Sequence, residues 1–153
     1  MTGTLAGIAR HGQPKGPMET LSTVTVTAAE GLHGDFRGAL AATKPGRRRQ
    51  VSLLEADSWA AAQADVGAQV DWWQARRNLL IAGVRIPREV GARVAIGEAL
   101  VIEITGECDP CDRMDALHAG LRAGMTPDWR GGFCGRVIAD GEIAVGDEVR
   151  ILR

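Results

Sequence analysis

The chain has 153 residues, of which 45% are hydrophobic. This content is enough to bury one core of ordinary size, so we expect a single domain over residues 1–153. With 18 basic and 19 acidic residues, the formal net charge of −1 provides no overall field that would attract nucleic acid or an anionic membrane. No apolar run is long enough to span a bilayer and the N-terminus lacks the layout of a secretion signal, so we expect a cytoplasmic protein.

The first half of the chain predicts strands separated by loops, with one clear helix. Residues 4–10 and 21–28 are strand-like, the latter because Val24 and Val26 alternate with threonines. Residues 29–49 contain glycine, proline and charge with little apolar periodicity, and we interpret them as a long loop that forms one wall of a site. The remaining elements of this half are a buried strand at 50–54, an Ala-rich helix at 55–67 that ends at Gly67, a short helix or turn at 70–77, and a strand at 78–84.

The second half is richer in strands. Residues 93–105 predict two strands that meet at Gly97-Glu98. Residues 112–124 predict one helix. Residues 133–152 predict strands with turns at Asp140-Gly141 and Gly146-Asp147. About eight short strands with two or three helices, and no regular strand-helix alternation, favour a mainly β fold with a few helices, built as a barrel.

Two cysteines lie where a predicted strand gives way to a predicted helix. Cys111 is at the start of that helix beside Arg113, and both the helix dipole and the guanidinium stabilise a thiolate there. Cys108 is three residues earlier, near enough to form a disulfide with Cys111, accept a sulfur from it or share a metal. Together with Cys134 they make an odd number of cysteines, which favours reduced thiols over a disulfide framework.

Three other interpretations of this pair stay open. Both cysteines fill space at the junction, or they form half of a structural zinc site that His118 or Cys134 completes. A dithiol switch also uses this spacing, although that motif belongs early in a βαβ unit. A binding module with an inert core is therefore the rival from another class.

Arginines recur near the ends of predicted elements. The segment Arg47–Val51 contains three adjacent guanidinium groups, which can hold a phosphate through paired hydrogen bonds or serve as a solvated strand edge. Arg76, Arg77, Asn78 and Arg130 offer similar chemistry. In the long loop, His33, Asp35 and Arg37 come within reach of one another if the loop folds back, so that Asp35 either orients an arginine or caps a turn.

Taken in order, five segments resemble the MOSC domain, named for the C-terminal domain of molybdenum cofactor sulfurases. They cover most of the chain from about residue 30 onward, and their order is more specific than any one of them. The family's central cysteine, in a Pro-Cys context after a strand, corresponds to Pro110-Cys111. The matching segments are "EGLHGDFRG", "RRRQVSLLE", "RRNLLIAGV", "VAIGEALVIEITGECDPCDRM" and "RGGFCGRVIADGEIAVGDEV".

The resemblance implies a β-barrel-like fold and two activities that both need a thiolate. In one, Cys111 carries sulfur as a persulfide received from a pyridoxal-phosphate-dependent cysteine desulfurase. In the other, Cys111 ligates the molybdenum of the pterin cofactor in a reductase of N-hydroxylated compounds, which requires a separate electron-transfer protein. Cys108 matches a cysteine found in only some members and is a second catalytic candidate.

The resemblance also implies residues that bind the phosphate of the molybdenum cofactor. These cofactor-binding candidates are Arg49, Arg76, Asn78, Arg130, Asp35 and Arg37. Many members have Arg-Glu-Asn where this chain has Arg76-Arg77-Asn78, which makes the local field more positive. The chain carries no fused desulfurase or reductase segment, so we expect the sulfur donor or electron source to be a separate protein.

Overall fold

The computed structural model describes residues 2–43 and 48–152, and Arg47, the first of the three adjacent arginines, lies outside these residues. Among them are eleven strands and four α-helices. The strands are β1 (Thr2–Arg10), β2 (Glu19–Leu21), β3 (Thr23–Thr27), β4 (Gly31–Leu32), β5 (Val51–Glu55), β6 (Leu79–Ala82), β7 (Arg93–Ile96), β8 (Leu100–Glu107), β9 (Phe133–Ala139), β10 (Gly141–Ala144) and β11 (Glu148–Leu152). The helices are α1 (Phe36–Thr43), α2 (Ala56–Val66), α3 (Asp112–Leu117) and α4 (Leu121–Met125).

Seven of these strands close into a barrel, which confirms the predicted fold class. Their order is β11-β7-β8-β9-β5-β6-β1, and β1 pairs back with β11, as in Thr2 opposite Arg150. The pairs are antiparallel except β5 with β6, which the α2 crossover makes parallel. β2 extends the sheet beside β1, and a separate three-stranded sheet has the order β10-β3-β4.

Alternating burial explains how the barrel core forms. Along β8, Leu100, Ile102 and Ile104 are fully buried while the residues between them are partly exposed, as expected for a strand with one face inward. β5 departs from alternation because every one of its residues is buried. Its outer face is covered by α2, so side chains on both sides of the strand are buried.

A second, smaller core outside the barrel holds the helices. It contains Leu54, Trp59 and Ala62 from β5 and α2, together with Met114 of α3 and Leu121 and Met125 of α4. Burial of a methionine such as Met114 stabilises the fold by about 1.5–3 kcal/mol. This side chain anchors the helix that begins directly after Cys111.

The structure corrects two of the element predictions. The predicted helix at 112–124 is two short helices, because the chain is extended at His118 (φ −161°) and left-handed at Gly120 (φ 85°). The predicted loop at 29–49 contains β4 and α1. None of the described helices is long and apolar enough to cross a bilayer.

Candidate functional site

The thiol of Cys111 lies exposed on the segment that joins β8 to α3. Cys111 is the residue before the first helical turn, and its carbonyl accepts a hydrogen bond from the Met114 amide at 2.9 Å. Its side chain does not cap the helix. Because α3 has only six residues, with Asp112 and Asp115 in its first turn, the helix dipole contributes less to a thiolate than the sequence suggested.

Positive charge reaches Cys111 from a neighbouring cleft of about 320 Å³. This cationic cleft is lined by residues of the β1–β2 loop, the start of α1, the segment before β5, the segment before β6 and α3. None of its described lining residues is a carboxylate. The lining consists of His11, Pro14, Lys15, Phe36, Arg37, Arg49, Ala75, Arg76, Arg77, Cys111, Arg113 and Met114.

Arg76 is held in the cleft by an unusual backbone conformation. It ends a 3₁₀ helix over Trp72–Ala75 with φ 64° and ψ 37°, in the left-handed region, and its amide bonds the Trp73 carbonyl at 3.0 Å. Such a conformation costs a non-glycine residue on the order of 1–3 kcal/mol, and such strain is concentrated at functional sites. The turn directs the chain from the helix into β6.

The cations around Arg76 repel one another. Burial lowers the pKa of the Arg76 guanidinium, and the positive charges of Arg113 and Arg49 lower it further, whereas Asp35 opposes them. The guanidinium stays charged at neutral pH, since arginine titrates far above it. An anion in the cleft would relieve this repulsion.

Asp35 lies beneath the cleft and ties two of its walls together. It is 2% exposed, and its carboxylate accepts hydrogen bonds from the backbone amides of His11 at 3.2 Å and Arg37 at 3.1 Å. It therefore joins the end of β1 to the start of α1. From the sequence we expected Asp35 to orient an arginine or to cap a turn. The structure shows the capping role, and the charge of Asp35 also raises the pKa of Arg76.

Arg49 has a donor without a partner. Its Nη2 donates to the Arg76 carbonyl at 3.1 Å, while its Nε is buried and makes no hydrogen bond with any described group. The preceding Arg48 differs, because its Nη2 donates to the Thr105 carbonyl at 2.7 Å. Of the two described arginines in this run, Arg49 is the one with a buried donor that has no partner and could bind a ligand.

Cys108 is buried behind the cleft. It is 3% exposed, its amide donates to the Gly132 carbonyl at 2.9 Å, and it does not line the cleft. A hydrogen bond from Cys134 lowers the pKa of the Cys108 thiol, and Arg77 lowers it further.

The structure thus brings Cys111, Arg37, Arg49 and Arg76 to one cleft. Asn78 is placed elsewhere and does not line this cleft. It is 4% exposed, accepts hydrogen bonds from the Ser52 amide and hydroxyl at 3.0 and 3.2 Å, and donates to the Ala9 carbonyl at 3.1 Å. Its amide fixes β5, β6 and β1 to one another.

Arg130 is also placed outside the cationic cleft. Its guanidinium pairs with Asp65 at 2.6 Å and donates to the Gly124 carbonyl at 3.0 Å. It lines a different cleft, next to Asp57 and Arg85. The pair ties the turn before β9 to α2.

Sequence reasoning missed two residues of the cleft. Lys15 and His11 both come from the Gly/Pro-rich loop after β1. His11 Nδ1 lies 2.8 Å from the Gln13 carbonyl, so this nitrogen carries the proton and Nε2 is the acceptor in the neutral ring. The only local signal was the loop's composition, which does not predict what it faces.

The described residues do not form the structural zinc site that the sequence left open. Within residues 2–43 and 48–152, no three His, Cys, Asp or Glu side chains are grouped so that they could hold a metal ion. A clip made from Cys108 and Cys111 with His118 or Cys134 would be such a group.

Several solved structures share this fold. The crystal structure of the YUAD protein from Bacillus subtilis has a TM-score of 0.81 and 17% sequence identity, over 97% of this chain and 94% of that one. YiiM from Geobacillus stearothermophilus has a TM-score of 0.70 and 15% identity, over 99% and 75%. YiiM from Escherichia coli has a TM-score of 0.69 and 16% identity, over 100% and 70%.

At these identities the structural neighbours share the fold alone. None of the curated proteins matches the chain in sequence. The profile of the MOSC domain, in contrast, matches residues 11–150, a span that includes Cys111 and every other residue of the cationic cleft. The chain belongs to the MOSC domain family.

Proposed function

We propose that this protein binds the molybdenum pterin cofactor through its phosphate in the cationic cleft and carries sulfur on Cys111. The observation that carries the proposal is that the exposed Cys111 thiol lines the same cleft as six cationic side chains. A nucleophilic or ligating sulfur and an anion site therefore share one surface. These six are Lys15, Arg37, Arg49, Arg76, Arg77 and Arg113.

The donors of the cleft suit a phosphorylated pterin. Guanidinium groups recognise phosphate through paired hydrogen bonds, and Arg49 has a buried Nε without a partner. Arg49, Arg76 and Arg37 would hold the phosphate, while Phe36 and Met114 supply apolar surface in the same cleft. When bound, the cofactor would supply a molybdenum ion, for which a cysteine thiolate is a suitable soft ligand.

The sulfur chemistry of Cys111 needs no oxidant. Its thiolate attacks the terminal sulfur of a persulfide on a pyridoxal-phosphate-dependent cysteine desulfurase. A new S–S bond forms at Cys111, the donor's S–S bond breaks, and the donor cysteine leaves as a thiolate. The transfer takes place on the surface that Cys111 shares with the cations of the cleft.

The alternative is a molybdenum-dependent reductase of N-hydroxylated compounds in which Cys111 ligates the metal. It uses the same thiolate and the same cleft, and takes electrons from a separate electron-transfer protein. It differs in one measurable respect, since Cys111 is then occupied by the metal and carries no sulfane sulfur.

The test is to purify the protein from cells that make the cofactor and to measure molybdenum, pterin and sulfane sulfur per chain. We expect Cys111→Ala to abolish sulfane sulfur and Arg76→Gln to lower bound pterin. Arg130→Gln is the matched control, because it also removes an arginine but outside the cleft, and we expect it to retain both.

The possible outcomes separate the two functions. Wild type that carries neither pterin nor sulfane sulfur, or Cys111→Ala that retains all of its sulfane sulfur, would falsify the proposal. Wild-type protein that carries molybdenum but no sulfane sulfur, together with a Cys111→Ala variant that has lost the molybdenum, would instead support the reductase.

A further inference from the structure

A second pair of sulfurs lies behind the cleft, at the junction of β8 and β9. Cys134 is opposite Gly106 in the antiparallel register, and the Cys108 amide bonds Gly132, so Cys108 continues that register two residues further. Because side chains alternate with a period of two, Cys108 and Cys134 are on the same face. Each thiol shifts the pKa of the other, and Cys134 Sγ lies 3.9 Å from the Glu107 carbonyl.

A buried positive charge accompanies this pair. Arg77 is 3% exposed, and its guanidinium donates to three backbone carbonyls, those of Gly131 at 2.7 Å, Ala75 at 2.8 Å and Cys108 at 3.5 Å. Among the described residues, no carboxylate lies within ion-pair distance of it. A buried charge is costly without an opposite one.

The cysteines are the groups whose negatively charged forms favour this charge. Burial lowers the pKa of Arg77, and the groups that raise it are Cys108, Cys134 and Cys111, in that order of effect. In turn, Cys134 and the charge of Arg77 lower the pKa of Cys108, while Cys108 and burial raise the pKa of Cys134. Cys108 is therefore the more acidic of the two thiols.

We propose that Cys108 and Cys134 form a second reactive sulfur site, separate from Cys111, which small peroxides oxidise to an internal disulfide. The proposal does not depend on the proposed function of Cys111. Its basis is the shared face of the two cysteines on neighbouring strands and the buried Arg77 guanidinium, which donates to the Cys108 carbonyl. A nucleophilic thiolate beside a thiol that can resolve it is the arrangement that such oxidation requires.

The chemistry takes two balanced steps. The Cys108 thiolate attacks one oxygen of hydrogen peroxide, the O–O bond breaks, and hydroxide leaves as Cys108 becomes a sulfenic acid. The Cys134 thiol then attacks that sulfur, the new S–S bond forms, and water leaves with the sulfenic oxygen. The peroxide gains the two electrons that the two thiols lose.

The sequence makes the product easy to identify. Trypsin releases Cys108 and Cys111 together in residues 94–113 and Cys134 in residues 131–136. A Cys108–Cys134 disulfide therefore links two peptides, whereas a Cys108–Cys111 disulfide stays inside one peptide. The experiment treats reduced Cys111→Ser protein with one equivalent of hydrogen peroxide, alkylates the remaining thiols after unfolding at acidic pH, and maps the peptides by mass spectrometry.

We expect the linked peptide to be the main product in Cys111→Ser. In wild type that was first alkylated at the exposed Cys111 under native conditions, we expect the same product. In Cys134→Ser, we expect a sulfenic acid at Cys108 that dimedone traps. Either of two results would overturn the proposal. One is that peroxide gives a Cys108–Cys111 disulfide in place of the linked peptide in wild type that was not alkylated beforehand. The other is that Cys108 and Cys134 both stay reduced in Cys111→Ser.

Because Cys111→Ser removes the sulfur on which the proposed function rests, the proposed function and the Cys108–Cys134 proposal can each fail without the other. Loss of sulfane sulfur in this variant leaves the linked peptide unaffected.

Discussion

The Arg49 guanidinium donates a hydrogen bond to the backbone carbonyl of Arg76 across 3.1 Å. One cation of the cleft thus fixes the main chain that presents another, and the recipient is a residue in the left-handed conformation. Because the bond uses Nη2, the buried Nε of Arg49 remains available for a ligand.

Replacement of Arg49 should therefore weaken anion binding twice, by loss of a direct donor and by release of Arg76. We expect Arg49→Gln to weaken pyrophosphate binding by about 1.5–3 kcal/mol, or roughly tenfold to hundredfold. Isothermal titration calorimetry at low salt measures this directly. Arg150→Gln is the control, since Arg150 lies on β11 and pairs with Glu148 instead. Equal losses in the two variants would mean that binding follows net charge and not the cleft.

Asp35→Asn should destabilise the fold and also change the cleft. The carboxylate accepts two backbone amides, from His11 and Arg37, and an amide side chain has only one oxygen to accept them. We expect a loss of about 1–3 kcal/mol in the free energy of unfolding, measured by urea denaturation. Since the variant also removes the negative charge that favours protonated Arg76, the folded protein should bind pyrophosphate more tightly. Weaker binding would instead mean that Asp35 acts mainly by holding the cleft walls in place.

Asn78→Ala tests whether this residue is structural, as its buried hydrogen bonds indicate, or holds a cofactor, as the family resemblance implied. The variant leaves the Ser52 amide and the Ala9 carbonyl without their side-chain partner. We expect a loss on the order of 1–3 kcal/mol for each buried group left unsatisfied. Pyrophosphate affinity of the folded fraction should be unchanged. A variant with normal stability and reduced affinity would restore the cofactor-binding role.

The pH dependence of peroxide oxidation reports on Cys108. Its pKa is lowered, so the thiolate persists below the pH range in which an ordinary cysteine ionises. The groups that act on it are Cys134, Arg77, Arg49 and Arg37, and Glu107 is a neighbouring acid. We expect the rate of Cys108–Cys134 disulfide formation in Cys111→Ser to change little from neutral pH to mildly acidic pH, while the rate for free cysteine falls about tenfold per pH unit.

The lowered pKa of Cys108 also determines how the stability of the fold depends on pH. A lowered pKa in the folded protein contributes stability that is fully present above the unfolded value and is lost as the pH falls through the folded value. Because Cys134 lowers the pKa of Cys108, Cys134→Ala should weaken this contribution and raise the pH at which Cys108 becomes reactive toward peroxide. An unchanged rate profile for sulfenic acid formation in this variant would show that Arg77 alone sustains the thiolate.

Local patterns in the sequence predicted the elements whose signals are themselves local. Helix α2 ends at Gly67 with φ 68°, as expected for a glycine cap, and the turn at Gly97 joins β7 to β8 with Ile96 opposite Leu100. The strands on either side of Asp140 were also predicted, but the second of them, β10, pairs with β3. Nothing local identifies such a partner, because the pairing depends on which strands the closed barrel leaves available.

The residues of the candidate site also differ in whether the sequence could predict their positions. The order of segments in the family pointed to Cys111, Arg49 and Arg76, which the fold does bring together. It also pointed to Arg130, whose position is decided by a contact with Asp65 that lies far away in sequence. The proximity of Cys108 to Cys134 was hidden for the same reason, since it depends on the register of β8 against β9, which places the two cysteines diagonally on one face.

Closure of the barrel through β1 and β11 has a consequence for biosynthesis. Thr2 pairs with Arg150, so the barrel strand that is synthesised first pairs with the barrel strand that is synthesised last. Until β11 is made, β1 has an open edge on that side, and contacts so distant in sequence are slow to form. The barrel is therefore completed only after synthesis of β11, and in that interval the open edge of β1 is a place where a strand of another molecule can pair.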